Sequence, residues 1–566
     1  MTASLFRSAV LTLARVGLAA AVMFMAGWNA YICLRLRPDL PTVFINLSFW
    51  FVPILALYAL SGRLWRSLAL GTTFTFVLQR LHWLKWRFLE QTWTAADFRL
   101  VADRTNWIVV QQYPEILVFL LLCLVVLVAA WFIAPRGMRA SARARVVAGA
   151  LVLIMVGGTI RSRHTHIFDP FGFNLYGHFA SLVYSWSTLS YNPPVLEGSS
   201  ALFTQRAAAL ASTEPIDPPQ HPDIVIWLQE STMDPVLFHV PGASLPALSM
   251  YAPDAETRSA GLLRVHTWGG STWLSEFALL GGLSHVDFGA SGNGVYYTVV
   301  PKLRYSLPKL LKEYGYRSVA ISGSPKGIYN MEVAQRAFGF DEVMNPLDFE
   351  SWGGKSLADH LISDEQLGHY ADEILGRKRD YPMLLFVLSI AQHGPYSSTH
   401  PVQFGLDHSQ LDHGTAARLS DFTARMVDTN AANEHFSTRL LGRSRPVVFA
   451  YFGDHQPNIE APIPYVDGFF EPQFLTSYAV KNNFEPVAAV ATHDITSATQ
   501  KPPVLDIAYL GGVILEHAGI PLGPLFSANR SMRLLCDGRL ADCPDQELTK
   551  SYRAFLYQDL KAAARE

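Results

Sequence analysis

The chain has 566 residues, which is more than one ordinary domain and enough for two or three. Half of the residues are hydrophobic and only 16% are charged, below the roughly 25% typical of soluble proteins, and the long apolar runs fall within the first 160 residues. The formal net charge of -2 gives no indication of the concentrated basic surface that nucleic-acid binding requires, so we expect no nucleic-acid partner.

Five apolar segments in the N-terminal part have the composition of membrane spans. About 20 residues are needed to cross the hydrocarbon core, so the first and fourth segments fit best and the third is short. The first is not a cleaved signal peptide, because four more apolar segments follow it. We therefore expect residues 1–162 to form a transmembrane domain of five helices. The five segments are Val10–Leu34, Val43–Leu60, Leu68–Leu81, Glu115–Ala134 and Val146–Ile160.

The arginines between the fourth and fifth segments predict the orientation of this domain. The connection carries four arginines and no acidic residue, and short loops of this kind stay in the cytoplasm. With five spans, the N-terminus is then cytoplasmic and everything after Ile160 lies outside. Arg35 and Arg37 fall on the outer side and disagree with this orientation. The four arginines of the connection are Arg136, Arg139, Arg143 and Arg145.

The segment 163–222 connects the apolar part to the rest of the chain. Aromatic and apolar residues recur at helical spacing over Phe168–Trp186, as in a helix that lies on the bilayer surface. A connector packed on the following domain would show the same pattern, and both interpretations stay open. The proline-rich stretch that ends at Pro222 predicts a linker.

From residue 223 to 566 the pattern changes to alternating strands and helices. Four short apolar runs have the length of buried strands, and helical patterns separate them. This alternation predicts an α/β/α sandwich with a mainly parallel sheet. The runs are Ile224–Leu228, Ser318–Ile321, Met383–Leu388 and Pro446–Phe452, and the helical patterns include Ser306–Tyr314 and Ala416–Leu441. Near the C-terminus, Cys536 and Cys543 flank a short polar loop, which favours a disulfide over a metal site if this region faces an oxidising compartment.

Polar side chains follow three of these predicted strands. Glu230 comes after the first, His393 after the third, and the pair Asp454 and His455 after the fourth. The carboxyl ends of parallel strands meet at one edge of a sheet, so we expect these groups to lie close together. Taken singly, each would more often be a turn, capping or surface residue. Their joint placement predicts a site for zinc or manganese, since carboxylate and imidazole groups bind both ions.

Thr272 adds a hydroxyl to this set. It follows Gly269, Gly270 and Ser271 and precedes a helix-like stretch. A hydroxyl at a helix N-terminus faces free backbone N–H groups, which favour an anion. A bound metal ion would lower the pKa of such a hydroxyl and activate it as a nucleophile.

Together these segments resemble the lipoteichoic-acid-synthase-like branch of the alkaline phosphatase and sulfatase superfamily. That branch includes membrane phosphoglycerol transferases and is related to phosphoethanolamine transferases; it is built as five spans followed by an extracytoplasmic catalytic domain. The resemblance therefore covers nearly the whole chain. The matching segments are Ile224–Ser231, Gly270–Phe277, Ser306–Tyr316, Ile362–Glu365, Ala391–Tyr396 and Phe452–His455.

The resemblance implies roles for the candidate residues. Thr272 is the expected nucleophile, and one divalent ion, Mn²⁺ or Zn²⁺, is expected on Glu230, Thr272, Asp454 and His455. His393 is expected over the substrate phosphate. The implied reaction moves a head group from a membrane phospholipid donor to a glycan, lipid or polymer acceptor through a phospho-threonine. The implied location is the bacterial inner membrane, with a periplasmic catalytic domain.

Three positions depart from the lipoteichoic synthase pattern. Those enzymes carry His, Trp and Arg where this chain has Ser322, Tyr329 and Met331. Met331 cannot replace the bidentate phosphate contact of an arginine. Tyr329 and Lys326 are the candidate substrate-binding residues here, although Lys326 also fits a solvated loop lysine. The head group is thus open, with phosphoglycerol favoured over phosphoethanolamine.

Other functions use the same residues. A phosphodiesterase, which transfers the group to water, needs the same nucleophile and the same ion. A sulfatase requires a Cys or Ser nucleophile in a Cys/Ser-x-Pro/Ala-x-Arg motif, and Thr272 is followed by Trp-Leu-Ser instead. An inactive membrane scaffold is the alternative from another class, which the presence of the complete candidate site disfavours.

Overall fold

The computed structural model describes residues 2–35, 39–89, 92–95, 97–98, 114–133, 138–162, 179–210, 220–353, 362–406, 411–459, 461–484 and 504–563. They divide into two compact units, Met1–Ser190 with Gly289–Asn293 and Tyr191–Phe288 with Gly294–Glu566. We call them the helical unit and the sheet unit. The division falls within the predicted linker segment 163–222, and the three-part domain boundaries stay a prediction.

The described residues of the helical unit form five long helices and one short helix. Three stretches are long and apolar enough to cross a membrane within the described residues, namely Thr12–Tyr31, Leu40–Ser61 and Ala142–Ser162. The third predicted segment, Leu68–Leu81, lies within a longer helix that carries Arg66, Arg80 and Lys85. Three candidate spans rather than the expected five are therefore found among the described residues. The helices are α1 (Thr2–Arg35), α2 (Leu40–Ser61), α3 (Leu64–Leu89), α4 (Pro114–Ile133), α5 (Ala142–Ser162) and α6 (Ala180–Tyr184).

The predicted surface helix over Phe168–Trp186 lies mainly outside the described residues. Within the described part, α6 is followed by a 3₁₀ turn, Ser185–Leu189. Asn46 of α2 accepts a hydrogen bond from the backbone N–H of Phe179 at 3.1 Å. This contact ties the start of α2 to the segment that precedes α6.

The sheet unit is built on one eight-stranded sheet with the order β4-β3-β5-β1-β6-β7-β2-β8. β7 runs antiparallel to both of its neighbours, and the other pairings are parallel. The four predicted strands correspond to β1, β3, β5 and β6, and the expectation of a mainly parallel sheet is confirmed. The strands are β1 (Asp223–Gln229), β2 (Thr257–Arg264), β3 (Arg317–Ser322), β4 (Glu342–Met344), β5 (Met383–Leu388), β6 (Val447–Gly453), β7 (Leu475–Asn482) and β8 (Val504–Asp506).

Helices cover both faces of this sheet. Alternate residues of β1 show the two layers, because Ile224 and Ile226 pack into one hydrophobic core while Val225 and Trp227 pack into the other. β1 is therefore buried on both sides, as central parallel strands are. The helices are α7 (Ala201–Ala208), α8 (Thr272–Gly281), α9 (Val295–Thr298), α10 (Leu307–Glu313), α11 (Met331–Phe338), α12 (Asp364–Gly376), α13 (His413–Leu441), α14 (Ile507–Ala518), α15 (Gly523–Leu535) and α16 (Gln546–Ala554).

The two C-terminal cysteines form the disulfide that the sequence favoured. Cys536 follows α15 and is bonded to Cys543. The loop between them contains Gly538, whose carbonyl accepts a hydrogen bond from the backbone N–H of Asp506 at 2.8 Å. The disulfide thus closes a loop that supports the end of β8.

Candidate active site

The turns after β1 and β6 bring three of the predicted ligands together. Glu230 follows β1 directly, and Asp454 and His455 follow β6. The two strands are hydrogen-bonded neighbours, and their last residues, Gln229 and Gly453, are paired in register. A Cβ at Gly453 would lie 1.6 Å from the carbonyl oxygen of Thr232. Only glycine fits there, so this residue permits the close approach of the two turns.

The three side chains form a compact, buried set of possible metal ligands. Their ligand atoms lie within 4.8 Å of one another. His455 Nε2 is 3.3 Å from Glu230 Oε1 and 3.2 Å from Asp454 Oδ2. Even so, Asp454 Oδ2 and His455 Nε2 have no hydrogen-bond partner within the described part of the chain. Buried polar atoms are normally satisfied, so two such atoms that face each other mark a place for a ligand.

The remaining polar atoms of these side chains are held by the protein itself. Asp454 Oδ1 accepts hydrogen bonds from the backbone N–H groups of Ser231, at 2.8 Å, and His455, at 2.9 Å. Glu230 Oε1 accepts from the Ser231 hydroxyl at 2.8 Å. His455 Nδ1 donates to the carbonyl of Gln456 at 3.0 Å, which leaves the lone pair on Nε2. The donor set therefore fits a divalent cation.

The pKa values of Asp454, His455 and Glu230 reflect the close approach of two carboxylates to one imidazole. Burial, together with the charge of Glu230, raises the pKa of Asp454 to about 7. Burial opposes the charge on His455, but Asp454 and Glu230 outweigh it and raise the pKa of His455 to about 9. Burial also opposes the charge on Glu230, whose pKa nevertheless falls to about 2 because of the adjacent imidazole. Protons thus balance the charge here, and a divalent cation would take their place.

Thr272 is the first residue of α8, and its hydroxyl donates to Glu230 Oε2 at 3.0 Å. A sharp turn presents it, since Gly269 (φ 65°), Gly270 (φ 153°) and Ser271 (φ 69°) all have positive φ. Serine rarely adopts this conformation, which is a form of strain that concentrates at functional sites. Thr272 is 9% exposed, against 2% or less for Glu230, Asp454 and His455, so it is the member of the set that solvent reaches best.

His393 lies after β5 on the same edge of the sheet. Its imidazole contributes to the lowering of the Glu230 carboxyl pKa, which places it within electrostatic range of the ligand set. Nδ1 hydrogen-bonds with the carbonyl of Gly394 at 2.6 Å, and Arg425 donates to the carbonyl of His393 itself at 2.8 Å. The first contact orients the imidazole, and the second holds the backbone of His393.

The two predicted substrate-binding residues, Tyr329 and Lys326, have different surroundings in the structure. Tyr329 is in the left-handed conformation (φ 55°), and its ring centroid is 4.7 Å from that of Trp273, the residue after Thr272. Tyr329 is therefore next to the start of α8. Lys326 instead forms an ion pair with Asp348, with Nζ 2.7 Å from Oδ2. The side chain of Met331 is buried in the hydrophobic core.

A buried chain of polar groups supports the ligand set and was missed in the sequence. The hydroxyl of Ser389 accepts from the backbone N–H of Glu230 at 3.1 Å and donates to Gln392 Oε1 at 3.1 Å. The Gln392 amide in turn donates to Asp364. Gln392 and Asp364 fall within the segments that carry the family resemblance, which was the available signal. Their supporting role needed the three-dimensional contacts.

Glu276 is a second residue that sequence reasoning did not single out. It lies one helical turn after Thr272 on α8, is buried, and accepts a hydrogen bond from the Gln335 amide at 3.1 Å. Burial raises the pKa of Glu276 to about 7. The spacing of four residues from Thr272 was visible in the sequence, because residues i and i+4 share a helix face.

Comparisons with known proteins agree with this fold. The sequence profile described as Sulfatase matches residues 222–501. An uncharacterized protein of Haemophilus influenzae is 32% identical over 566 residues, which cover 94% of this chain and 100% of that protein. The capsular polysaccharide biosynthesis protein RkpI of Rhizobium meliloti is 26% identical over 353 residues, 61% of this chain and 59% of that protein.

A solved structure shares the fold. The phosphoglycerol transferase GacH of Streptococcus pyogenes, in complex with sn-glycerol-1-phosphate, superposes with a TM-score of 0.50 at 17% identity. The match covers 65% of this chain and 95% of that one. At this identity the likeness concerns the fold, which is the alkaline-phosphatase-like arrangement of a mixed sheet between helices.

Proposed function

The chain belongs to the sulfatase family of the alkaline phosphatase superfamily, and on that premise we propose that it is a metal-dependent phosphotransferase of the bacterial inner membrane. It takes a phospholipid head group onto Thr272 and passes it to a hydroxyl of an extracytoplasmic glycan, lipid or polymer. Phosphoglycerol is favoured over phosphoethanolamine as the group transferred. A glycan acceptor accords with the relative RkpI, a capsular polysaccharide biosynthesis protein.

One observation carries the proposal. The Thr272 hydroxyl donates to a buried carboxylate, Glu230, that belongs to a ligand set with two unpartnered atoms. A threonine with only a structural role at a helix start would hydrogen-bond to a backbone N–H group of that helix. The Thr272 hydroxyl instead donates to the buried Glu230 carboxylate. Such a geometry suits a nucleophile whose proton must be held while the oxygen attacks.

The first step exchanges one phosphate ester for another. The Thr272 oxygen attacks the phosphorus of the lipid phosphodiester, the bond from phosphorus to the diacylglycerol oxygen breaks, and diacylglycerol leaves with a proton. Glu230 Oε2, 3.0 Å from the Thr272 hydroxyl oxygen, holds the proton of that hydroxyl before the attack. His393, with Nδ1 engaged by Gly394, donates from Nε2 to a phosphoryl oxygen when the ring is charged.

The second step reverses the roles. An acceptor hydroxyl attacks the phosphorus of phospho-threonine, the bond to the Thr272 oxygen breaks, and Thr272 regains a proton. We propose that Glu230, Asp454 and His455, which could together hold a metal ion, bind Mn²⁺ or Zn²⁺ with Thr272 as the fourth ligand. When bound, such an ion lowers the pKa of the hydroxyl and neutralises the charge on the phosphoryl oxygens.

The helical unit supplies the membrane anchor in this proposal. Its five long helices cross the bilayer as five spans, with the arginine-rich connection that leads into α5 on the cytoplasmic side. An odd number of spans places the catalytic domain of residues 223–566 in the periplasm, after the connector of residues 163–222. The lipid donor and the disulfide-bonded loop of Cys536 and Cys543 then share an oxidising compartment.

The test is the Thr272→Ala variant of the full-length protein, assayed with phosphatidylglycerol in mixed micelles and with a soluble bis-nitrophenyl phosphate diester. Loss of the nucleophile should lower both activities at least about 1,000-fold, because the covalent intermediate can no longer form on this residue. Thr204→Ala, at an exposed position on α7, is the matched control and should retain wild-type rates. Turnover by Thr272→Ala within tenfold of wild type would exclude a covalent mechanism at this residue.

A further inference from the structure

The segment that carries His393 follows β5 and comprises residues 389–397; we call it the His393 loop. It lies against α13, where Asp421, Arg425 and Thr429 recur at intervals of four residues. Residues at this spacing share one face of a helix. All three form hydrogen bonds with the loop, so one polar face of α13 supports the segment that carries the proposed phosphate-binding histidine.

Arg425 holds the backbone of the loop on both sides of Gly394. Its guanidinium donates to the carbonyl of His393 at 2.8 Å and to the carbonyl of Pro395 at 3.3 Å. The guanidinium carbon also lies 5.2 Å from the ring centroid of Tyr396. A rigid fork of donors that engages two carbonyls of one turn restrains the backbone more than a single hydrogen bond does. Arg425 therefore sets the backbone from which the His393 imidazole projects.

Asp421 holds the guanidinium of Arg425 in place. Asp421 Oδ2 accepts from Arg425 at 2.9 Å and from the backbone N–H of Ser397 at 2.8 Å. The side chains of Asp421 and Arg425 are only 13% and 25% exposed, so water competes weakly for these charge-assisted hydrogen bonds. The ion pair thus joins the end of the loop to the same cation that holds its middle.

Gln392 connects the His393 loop to the candidate metal ligands. Its Oε1 accepts from the Ser389 hydroxyl at 3.1 Å, and that hydroxyl accepts from the backbone N–H of Glu230 at 3.1 Å. Its amide nitrogen donates to the carboxylate of Asp364 and to a hydroxyl of α13. The side chain is buried, and its carbonyl oxygen and amide nitrogen are both engaged. A buried network that is satisfied in this way is rigid, so Gln392 fixes the position of the Glu230 backbone.

The two ends of this network argue that it does more than stabilise the fold. One end is the backbone of Glu230, a proposed metal ligand, and the other is the carbonyl of His393. Hydrogen bonds that orient metal ligands from outside are worth about 10- to 100-fold in metal affinity. Reacting groups are as sensitive, since a displacement of about 1 Å can lower a rate about 100-fold.

We propose that Arg425 is a positioning residue for His393 and that Gln392 is a positioning residue for Glu230, with α13 as the frame common to both. The inference rests on the proposed function, which makes His393 the phosphate contact and Glu230 a metal ligand. Arg425 then sets the rate of group transfer without changing the affinity for the ion, whereas Gln392 sets that affinity. A purely structural role would lower the stability of the protein in both cases and would not separate the two effects.

The role of Arg425 is tested by steady-state kinetics of the full-length protein with the soluble bis-nitrophenyl phosphate diester at saturating Mn²⁺. Arg425→Gln should lower kcat/KM at least roughly tenfold, and Arg425→Lys, which keeps the charge and a donor, should recover part of that loss. Arg439→Gln is the matched control, because Arg439 is also on α13, stacks on Phe436 and pairs with Asp372. The control should stay within about twofold of wild type.

A double-mutant cycle with His393→Ala identifies the route of the Arg425 effect. Because Arg425 acts through His393, Arg425→Gln should change kcat/KM less than about twofold once the imidazole is absent. An equal loss in the presence and in the absence of the imidazole would overturn this role. A lower melting temperature with unchanged kcat/KM would overturn it as well, since Arg425 would then only stabilise the fold.

The role of Gln392 is tested by titration of Mn²⁺ into the EDTA-treated full-length protein. Gln392→Met should weaken the Kd for Mn²⁺ at least roughly tenfold, because the Ser389 hydroxyl that holds the backbone of Glu230 loses its own partner. Ser389→Ala is a smaller change that breaks the same chain of hydrogen bonds. It should weaken the Kd in the same direction and provides the measurement if Gln392→Met does not fold.

Asn529→Leu is the matched control for the loss of a buried amide. Asn529, on α15, is as buried as Gln392, and its side chain hydrogen-bonds with Gly282, Ala508 and Tyr552. The control should lower the melting temperature and leave the Kd for Mn²⁺ within about twofold of wild type. Equal effects of the two substitutions on the Kd, or no effect of Gln392→Met and Ser389→Ala, would overturn the proposal.

These measurements separate the failure of the positioning roles from the failure of the proposed function. Turnover that survives Thr272→Ala contradicts the covalent mechanism, whatever the Mn²⁺ affinities are. Loss of turnover in Thr272→Ala, together with additive effects of Arg425 and His393 and unchanged Kd values, would leave the function in place and overturn the positioning roles.

Discussion

Apart from the antiparallel β7, the strands of the central sheet begin at one edge, the amino edge, and end at the other, the carboxyl edge. Both edges bury charged side chains, but in opposite ways. At the amino end of β1, Asp223 is held by Arg379 through two hydrogen bonds of 2.8 and 2.6 Å, by Arg445 at 3.0 Å and by the backbone N–H of Met383 at 2.9 Å. At the carboxyl end of the same strand, Glu230 meets a second carboxylate and one imidazole. Cations surround the carboxylate at the first edge, whereas a second carboxylate lies beside it at the second.

The contrast between Asp223 and Glu230 shows which buried charges indicate function. Asp223 is nearly as buried as Glu230, so burial by itself does not distinguish them. What distinguishes them is that Asp223 is paired with two arginines, whereas Glu230 lies in a set of two carboxylates whose possible ligand atoms Asp454 Oδ2 and His455 Nε2 have no hydrogen-bond partner among the described residues. Proteins tolerate such an arrangement where a ligand completes it.

The largest expected effect is at the carboxyl edge. Asp454→Asn removes one of two crowded carboxylates and a ligand atom, so activity with the soluble diester should fall at least about 1,000-fold, or about 4 kcal/mol. The metal-free protein should be no less stable than wild type, because a buried like charge has been removed. Calorimetry of the EDTA-treated variant and steady-state rates measure the two effects. A loss of stability with retained activity would assign Asp454 to the structure and not to the site.

The amino edge should respond in the reverse manner. Asp223→Asn leaves Arg379 without its buried charge partner and should lower the free energy of unfolding by about 3 kcal/mol, while activity per folded molecule stays near wild type. Glu332→Gln is the surface control, since its pair with Arg336 is exposed and worth about 0.5 kcal/mol. Urea denaturation checks both variants. If Asp223→Asn abolished activity at full stability, the proposed contrast between the edges would be wrong.

A smaller effect follows from pH. In the folded protein the pKa of Asp454 is raised to about 7 and that of His455 to about 9. At pH values between the ordinary pKa of each group and its raised pKa, the folded metal-free protein therefore binds more protons than the unfolded chain. Stability of the metal-free protein should therefore decline as pH rises from about 4 to about 9.

A bound divalent ion should reverse this trend, because its affinity increases as the ligands lose protons. The increase in melting temperature on addition of Mn²⁺ to EDTA-treated protein should be greater at pH 8 than at pH 6. Thermal scans across this range test the statement, with Asp454→Asn as the variant that should show little increase. An increase independent of pH would place the ion elsewhere.

Much of the candidate site could be predicted from the sequence, because short sequence patterns locate the strand ends and the turn before Thr272. β1, β5 and β6 are continuous apolar runs because both faces are buried, so their ends could be located within a residue or two. The positions of Glu230, Asp454 and His455 followed from those ends. Thr272 followed from the glycines that precede it.

Other features depended on long-range contacts. β2 and β7 contain small and polar residues such as Gly261 and Thr476, and β4 and β8 have three residues each, so none of them was recognised. The antiparallel direction of β7 is a property of the topology. The ion pair of Lys326 with Asp348, which is 22 residues away, could not be predicted from the sequence either, and the role of Lys326 in substrate binding stays a prediction.

The most direct test of the account is the intact mass of the full-length protein after incubation with phosphatidylglycerol in the absence of an acceptor. A covalent phosphoglycerol adduct should appear on wild type, be located by peptide mapping at Thr272, and be absent from Thr272→Ala. An adduct with the mass of phosphoethanolamine, formed from phosphatidylethanolamine, would retain the mechanism and change the group. Turnover of phospholipid by wild type with an adduct on another residue would contradict the central claim.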